Sequence, residues 1–510
     1  MNAGKVWYVG AGPGNPDLIS VWGQELLRLA DVIIHDNGLS AEFLDECRAT
    51  ARIIDTEQHG RVSPADVTSV AELIIREVRA GSNVVRLKLG DPLFFSCALH
   101  EIDALVTARI PFEIVPGIAS PHAAASHAGV PLTDAQGQSS IAFFLGSDLL
   151  GGVINQAAIG RLGIAADTLC VLLAIAELRT VVATILGSGR AGQTPSVLVH
   201  QASMPNQRVL EAPLDQLVRL FEDDPISEPA LLIVGNVTQW RHKMRWFEKR
   251  PLFGKRLLLC RPRHQAKESA RAIRRFGAEP TILPLIAIEP IASNSRLAEC
   301  VHRLSDYDWV ILTSANGADQ LCLAIGAAGL DARAFGHAKI AVIGPGTAKP
   351  LEKWGIKPDL IAIDHVAEGL ARQLIAAGQA KKALLVRALE ARDALPKALE
   401  AAGLDVEIIA AYGTQKLAAE QQQALRQLLK TRSVDVVLLT SSSMAEALVM
   451  ALSPDAAICL SNICVASIGP ITTATLLKRG VPVDVTAETY TIEGLLAALE
   501  THFLREHTPA

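Results

Sequence analysis

The sequence lacks paired cysteines and lacks any long uninterrupted apolar run. Its eight cysteines form no CxxC pair and no cluster with histidine at zinc spacing, which favours reduced, packing cysteines and a cytoplasmic location. No apolar run approaches the ~18 residues that a membrane-spanning helix needs, and the first residues do not have the pattern of a signal peptide. We therefore expect a soluble protein with no membrane partner.

An excess of basic charge is also missing. The formal net charge of the 510 residues is -5, and lysine and arginine are scattered rather than gathered in stripes, which argues against a nucleic-acid partner. Half of the residues are hydrophobic, so the chain can bury several cores. These features predict several globular units that act on small molecules.

Short β-branched runs alternate with longer segments of helical period along the whole chain, which predicts an α/β fold throughout. The segment 239–254 follows the apolar run LLIVG and is dense in charge, as is typical of a linker. We therefore predict a first unit over 1–238, a linker over 239–254 and a second unit over 255–510.

The second unit contains an internal repeat. ILTSANG around Thr313 recurs as LLTSSSM around Thr440, 127 residues later, and IGPGT at Gly344 recurs as IGPIT at Gly469, 125 residues later. KRLLLC recurs as KKALLV, and AEGL recurs as IEGL. The nearly constant offset predicts two similar α/β lobes with a cleft between them, a place where a bulky ligand commonly binds.

Hydroxyl groups and backbone N–H groups at predicted helix starts are the candidate ligand contacts of both lobes. Such helix starts attract anions, and several facing one cleft would suit a ligand with many carboxylates. Any one of them taken alone is also explained as an ordinary helix cap. The candidate substrate-binding residues are Thr313, Ser314, Asn316, Thr347, Thr440, Ser441, Ser442 and Gly469.

In the order TSANG, AYGT, LLTSSS, SIGPITT and TIEGLLAAL, these motifs make residues 255–503 resemble uroporphyrinogen-III synthase. The resemblance implies a lyase without a cofactor that closes hydroxymethylbilane, with its eight carboxylates, into a macrocycle with loss of water and inversion of one ring. It further implies two lobes, one of which combines the start and the end of this region. By the same resemblance Tyr412 and Thr472 are the candidate catalytic residues, while Ile471 replaces a second threonine.

The first unit resembles the tetrapyrrole methylases, specifically the uroporphyrinogen-III C-methyltransferases that use S-adenosylmethionine. The matching motifs are VWYVGAGPGNPDL, LADVIIHD, VVRLKLGDPLFF, PFEIVPGIAS and AGVPLT. The resemblance implies two α/β subdomains, a possible homodimer and methylation toward precorrin-2, in the pathway to sirohaem and cobalamin. The residues that it places around S-adenosylmethionine are Pro13, Gly90, Asp91, Ala119, Ser120, Leu173 and Ala202.

The first unit departs from the methylase pattern at several positions. Asn37 and Cys97 stand where the family has basic residues, Leu173 replaces a methionine and Ala202 replaces a glycine. Neither Asn nor Cys can hold a carboxylate as arginine does. Three interpretations stay open: methylation of uroporphyrinogen III through altered contacts, methylation of another tetrapyrrole, or a structural role without catalysis.

Two further expectations concern the whole chain. The spacing of its histidines does not indicate a metal site, so we expect no metal. A non-catalytic tetrapyrrole-binding protein is the alternative class, and the departures in the first unit favour it there, whereas Tyr412 and the hydroxyl-rich turns argue against it in the second unit.

Overall fold

A computed structural model gives the structure of the protein. It describes residues 4–36, 38–48, 50–56, 64–95, 98–135, 137–146, 155–226, 230–291, 294–364, 367–378, 380–391, 393–416 and 418–506. Within these ranges the strands lie in four sheets flanked by helices, so the α/β prediction is confirmed. None of the helices in these ranges is both long enough and apolar enough to cross a membrane.

The first sheet is fully parallel, with the strand order β3-β2-β4-β1-β5. Its central strands are buried on both faces, as is usual for a parallel sheet that helices cover on both sides. The strands are β1 Val6–Gly10, β2 Val32–His35, β3 Arg52–Asp55, β4 Val84–Lys88 and β5 Phe112–Val115. The helices are α1 Val21–Leu29, α2 Ala41–Leu44, α3 Pro64–Arg79, α4 Ala98–Thr107 and α5 Ser120–Ala128.

The second sheet is mixed and has the order β6-β7-β10-β8-β9. Its strands are β6 Ile141–Leu145, β7 Thr168–Leu173, β8 Pro195–His200, β9 Arg208–Pro213 and β10 Ala230–Val234. Its helices are α6 Gln156–Ala165, α7 Leu178–Gly187 and α8 Leu214–Asp223. Because β7 and β8 both run antiparallel to β10, their carboxyl ends lie at the same edge of the sheet.

The segment between the two halves is folded against both of them. It contains α9 (Arg241–Met244), and the buried Arg241 donates to the carbonyl of Ala128 at 2.6 Å and to Glu248 at 2.7 Å. At its other end Leu252 is fully buried in the core of the second half. The two halves are therefore joined by a packed connection.

The second half folds into two lobes. Lobe 1 has a parallel sheet of order β12-β11-β19-β20-β21. Its strands are β11 Arg256–Leu259, β12 Glu279–Ile282, β19 Val436–Leu439, β20 Cys464–Ser467 and β21 Val485–Thr486. Its helices are α10 Arg263–Arg275, α16 Ala419–Lys430, α17 Ser442–Leu452, α18 Ala456–Leu460, α19 Pro470–Lys478 and α20 Ile492–Glu506.

Lobe 2 has the order β13-β18-β17-β14-β15-β16 and is parallel except for β13. Its strands are β13 Ile286–Pro290, β14 Trp309–Leu312, β15 Lys339–Val342, β16 Leu360–Ile361, β17 Lys382–Ala388 and β18 Asp405–Lys416. Its helices are α11 Ser295–Cys300, α12 Ala315–Ala327, α13 Pro345–Glu352, α14 Ala367–Ala376 and α15 Ala394–Ala401. The antiparallel pair of β13 and β18 lies where the chain passes between the lobes.

The two lobes share one topology but exchange segments. If β13 is set aside, β18-β17-β14-β15-β16 corresponds to β12-β11-β19-β20-β21 strand by strand. Lobe 1 therefore takes its first two strands from the beginning of the second half and the other three from its end. The sequence repeat and the spatial lobes do not coincide, as the resemblance implied.

Helix α10 joins lobe 1 to the first half through ion pairs. Arg271 contacts Asp17 at 2.8 Å and Glu46 at 3.3 Å, and Lys267 pairs with the same Glu46. One turn further along, Arg274 pairs with Glu42. Asp17 lies just beyond the glycine-rich turn that follows β1, so lobe 1 is held close to that turn.

Candidate active sites

Three backbone turns meet at the carboxyl edge of the first sheet. Gly12 and Gly90 exchange two backbone hydrogen bonds, of 3.1 Å and 2.7 Å. Gly117 lies so close to both Gly10 and Gly90 that a methyl group on it would be 2.2 Å from the carbonyl oxygen of Gly90. Only glycine allows this approach, which leaves backbone groups rather than side chains facing a ligand.

Asp91 organises these turns. One of its carboxylate oxygens accepts from the backbone N–H of Leu93 at 2.9 Å, and the other accepts from the N–H of Gly117 at 3.0 Å. Both oxygens keep further lone pairs for a ligand. The carboxylate therefore has a turn-forming function in the structure, and a ligand contact would be additional to it.

The remaining candidate cofactor residues lie around these turns. Ala119 and Ser120 begin α5, and the position of a methyl group on Gly90 is 3.5 Å from Ser120 Oγ. Leu173 ends β7 and is fully buried, while Ala202 is half-buried in the turn after β8. The second sheet thus places its two candidates at one edge.

The edges of the two sheets in the first half approach each other. A methyl group on Gly14, next to the half-buried Pro13, would lie 3.6 Å from Met204 Sδ, in the turn after β8. Nearby, Phe143 of β6 stacks on His122 of α5 at 5.7 Å and meets Phe94 edge-on at 5.5 Å. These contacts pack aromatic side chains between the two sheets.

The first sheet also contains a buried ionic cluster, which was not predicted from the sequence. Arg86 of β4 is 1% exposed, donates to both oxygens of the buried Glu101 at 3.0 Å, and donates to Asp36 at 2.6 Å. Lys88 also contacts Asp36, at 3.1 Å. Burial opposes ionisation of Asp36, yet Arg86 and Lys88 together hold the pKa of its carboxyl below the usual value.

This cluster has a recognisable signal in the sequence. VVRLK places two cations on alternate residues of an otherwise apolar strand, where charges are rare unless they are paired. Asp36 is the member of the cluster with the greatest exposure, at 25% of its side chain. Asn37 and Cys97, which stand at the positions of expected basic residues, lie outside the described residues.

In lobe 2, Ser314 and Tyr412 are in direct contact. Ser314 caps α12 by accepting from the backbone N–H of Gly317 at 3.1 Å, and Tyr412 of β18 donates to the same Ser314 oxygen at 2.9 Å. Since a hydroxyl oxygen has two lone pairs and one proton, these contacts leave the Ser314 proton available to a ligand. Thr313 and Asn316 flank the pair and are half-buried.

Lobe 1 repeats this cap without the tyrosine. Ser441 accepts from the backbone N–H of Met444 at 3.2 Å, and its hydroxyl is 3.0 Å from that of Ser443. Thr440 contacts the sulfur of Met444, and Ser442 begins α17. In each lobe the cap lies where the strand order reverses, between β14 and β17 or between β19 and β11, the usual position of ligand sites in open parallel sheets.

The two IGP turns begin helices without a side-chain cap. Gly344 precedes α13 and Gly469 precedes α19, and neither helix start receives a side-chain hydrogen bond. The first residue of each helix is a proline, which has no N–H, so the N–H groups that can face an anion are those that follow it. Thr347 and Thr472 occupy equivalent positions and are both buried, and the backbone N–H of Thr347 donates to the carbonyl of Gly344 at 3.0 Å.

A chain of hydroxyl groups lies beside Gly469 and was not predicted from the sequence. Thr473 Oγ1 is 2.5 Å from Ser467 Oγ and 2.8 Å from Thr486 Oγ1. The exposed Tyr490 lies against Gly469, 3.0 Å from the position of a methyl group there. The SIGPITT motif drew attention to Thr472, whereas helical geometry turns its neighbour Thr473 toward this polar chain.

No metal site is evident in the part of the chain that the structure describes. Within it, no three His, Cys, Asp or Glu side chains are grouped so that they could share a metal ion.

Comparison with known proteins assigns both halves to families. Residues 5–218 match the family model described as tetrapyrrole (corrin/porphyrin) methylases, and residues 267–497 match the one described as uroporphyrinogen-III synthase HemD. A porphyrin biosynthesis protein HemD of Ruminiclostridium josui is 29% identical over 98% of both chains.

Other relatives match about half of this chain. The siroheme synthase of Psychrobacter arcticus is 35% identical over 48% of this chain, which spans only 44% of that protein. The solved uroporphyrin III C-methyl transferase of Thermus thermophilus is 30% identical over 46% of this chain and 94% of its own, with a TM-score of 0.40. The chain belongs to the tetrapyrrole methylase family over residues 5–218 and to the uroporphyrinogen-III synthase family over residues 267–497.

Proposed function

We propose that the second half closes hydroxymethylbilane to uroporphyrinogen III, and that the first half methylates this product with S-adenosylmethionine toward precorrin-2. The observation that carries the proposal is the contact of Tyr412 with Ser314 at the point where the strand order of lobe 2 reverses. The division into units at 1–238, 239–254 and 255–510 is part of this proposal, as is a homodimer through the first half.

In the proposed mechanism the two lobes hold a polycarboxylate between their carboxyl edges. The uncapped starts of α13 and α19 offer N–H groups to carboxylates, and the caps at Ser314 and Ser441 add hydroxyl groups. Holding both ends of a flexible linear tetrapyrrole in one cleft makes closure effectively unimolecular. Most of the acceleration would come from this positioning.

Proton transfer to the departing hydroxyl is the chemical assistance that we assign to Tyr412. In the free protein the Tyr412 hydroxyl donates its hydrogen bond to the Ser314 oxygen, and the proton of Ser314 can point toward a ligand. Tyr412 can therefore protonate the leaving group either directly or through Ser314, while water departs and the pyrrole carbon attacks. Thr472 would hold the substrate through the first turn of α19.

For the first half we propose that S-adenosylmethionine binds at the meeting point of the three turns. The close backbone approach at Gly10, Gly90 and Gly117 leaves N–H and C=O groups to recognise a small polar ligand. Ser120 and Ala202 would line the same site from α5 and from the turn after β8. The cofactor supplies an electrophilic methyl group, and the protein holds it against the tetrapyrrole.

A second candidate is a chain in which only the synthase is active. The ion pairs of α10 with Asp17, Glu42 and Glu46 favour it, because they give the first half a structural contact with lobe 1 that needs no catalysis. In that case the first half supports lobe 1, or acts on another tetrapyrrole.

One assay separates these functions. Full-length protein is given hydroxymethylbilane with and without S-adenosylmethionine, and the oxidised products are separated by isomer and by mass. We expect isomer III, with methylated product only when the cofactor is present. Isomer I alone would disprove the synthase, and unmethylated isomer III in both arms would leave the synthase as the only activity on this substrate.

A further inference from the structure

The two lobes meet at an ion pair. Lys349 of α13, in lobe 2, contacts Glu268 of α10, in lobe 1, at 3.3 Å. Both helices begin just after the carboxyl ends of strands, α13 after β15 and α10 after β11. This contact therefore marks a place where the carboxyl edge of one sheet approaches that of the other.

An incompletely bonded arginine lies beside this ion pair. Arg261 follows β11 and donates from Nη1 to Ser269 Oγ at 3.3 Å. Its Nε is buried and has no hydrogen-bond partner among the described residues. Burial lowers the pKa of the Arg261 guanidinium below its ordinary value, and the nearby charge of Glu268 partly opposes this shift. A buried donor without a partner is costly, and a bound ion or ligand is one way in which a protein offsets this cost.

The charges of this cluster do not balance. Arg261 and Lys349 bring two positive charges and Glu268 brings one negative charge, so one carboxylate more would neutralise the group. The Lys349–Glu268 pair is exposed on both sides, at 66% and 80%, and such pairs hold structures together only weakly. Glu268 can therefore turn toward water when another carboxylate arrives.

We propose that Arg261 and Lys349 form a carboxylate subsite that spans the two lobes, and that Glu268 occupies it in the free protein. The proposal rests on the synthase function, whose substrate carries eight carboxylates. Arg261 supplies directional donors from lobe 1, whereas Lys349 supplies an exposed point charge from lobe 2. A carboxylate bound between them draws the lobes together around the ligand.

Titration of the full-length chain with uroporphyrin III, an unreactive octacarboxylate, tests the subsite. Arg261→Gln should raise the Kd about tenfold or more, because it removes charged hydrogen bonds at a half-buried position. Lys349→Gln should raise it about two- to fivefold, because its charge is exposed. Glu268→Gln should have the opposite effect and lower the Kd, since it removes the internal competitor.

Matched controls keep the outcome interpretable. Arg333→Gln removes an exposed cation of lobe 2 that pairs with Asp331 just before β15, at the other edge of the sheet, and it should leave the Kd unchanged. For coproporphyrin III, which has four carboxylates, Arg261→Gln should raise the Kd by a smaller factor than for uroporphyrin III. If Arg261→Gln fails to fold, Lys349→Gln and Glu268→Gln still test the opposite signs.

The outcomes for the subsite and for the synthase are distinguishable. If the wild type makes uroporphyrinogen III but Arg261→Gln and Lys349→Gln bind uroporphyrin III as tightly as it does, the subsite is overturned and the synthase stands. A rise in Kd on Glu268→Gln would also overturn it. If the wild type neither forms isomer III nor binds the octacarboxylate, the synthase function itself fails.

Discussion

Tyr412 donates a hydrogen bond to Ser314 across 2.9 Å, joining the middle of a long strand to the cap of a helix in the same lobe. Tyr412 is 6% exposed, and its backbone also pairs with β13, where the chain passes between the lobes. A change in how the lobes are arranged would therefore move the Tyr412 hydroxyl relative to Ser314.

Tyr412→Phe should slow formation of isomer III by about ten- to hundredfold, since it removes the proton donor but keeps the ring. The matched control is Tyr307→Phe, because Tyr307 is buried and its hydroxyl donates to Glu407 at 2.5 Å, at the other edge of the same sheet. We expect the control to keep the wild-type rate under the same assay. Equal rates for the two variants would contradict the role of Tyr412.

Gly117→Ala should weaken S-adenosylmethionine binding by about tenfold or more, because its methyl group would meet the carbonyl oxygen of Gly90 at 2.2 Å and push the turns apart. Equilibrium dialysis with labelled cofactor measures the effect. Gly187→Ala, in α7 of the same half, meets nothing within 4 Å and should bind as the wild type does. Unchanged affinity in Gly117→Ala would place the cofactor elsewhere.

Arg86→Met should destabilise the first half by about 3–5 kcal/mol, because it leaves Glu101 and Asp36 without their common partner. Urea unfolding followed by circular dichroism gives the free energy of unfolding. Arg208→Met breaks an exposed pair with Asp224 and should cost about 1 kcal/mol or less. Similar losses of unfolding free energy in the two variants would show that the buried cluster stabilises the protein no more than an exposed ion pair does.

The contact between the halves should weaken in acid. Burial opposes ionisation of Glu46, but hydrogen bonds from Lys267 and Arg28 hold the pKa of its carboxyl below the ordinary value. A lowered pKa in the folded state contributes stability that is present above the unfolded pKa of about 4.3 and is lost as the pH falls through the folded pKa.

Glu46→Gln should therefore lower the Tm at pH 7 and have little effect near pH 3. Calorimetry at the two pH values measures this difference. Asp103→Asn, at an exposed position in the middle of α4, is the control and should change the Tm little at either pH. A pH-independent effect of Glu46→Gln would show that its charge is not what stabilises the contact.

The sequence predicted the strands because parallel strands buried on both faces must be continuously apolar, as WVIL and VVLL are. It also placed Ser314 and Ser441 at helix starts, because a cap needs only local sequence. The contact of Tyr412 with Ser314 spans 98 residues, and no local pattern encodes it. The roles of Arg86 and Arg261 were not predicted for the same reason. The hydrogen bonds that each arginine makes, or lacks, depend on the tertiary structure.

The exchange of segments between the lobes also fixes the order in which the protein can be completed during translation. Lobe 2 is one continuous stretch and can close once β18 has left the ribosome, whereas β11 and β12 must wait for β19, β20 and β21. During that interval α10 can already pair with the finished first half through Lys267, Arg271 and Arg274. The contact of α10 with the first half can thus form before the last strands of lobe 1 are made.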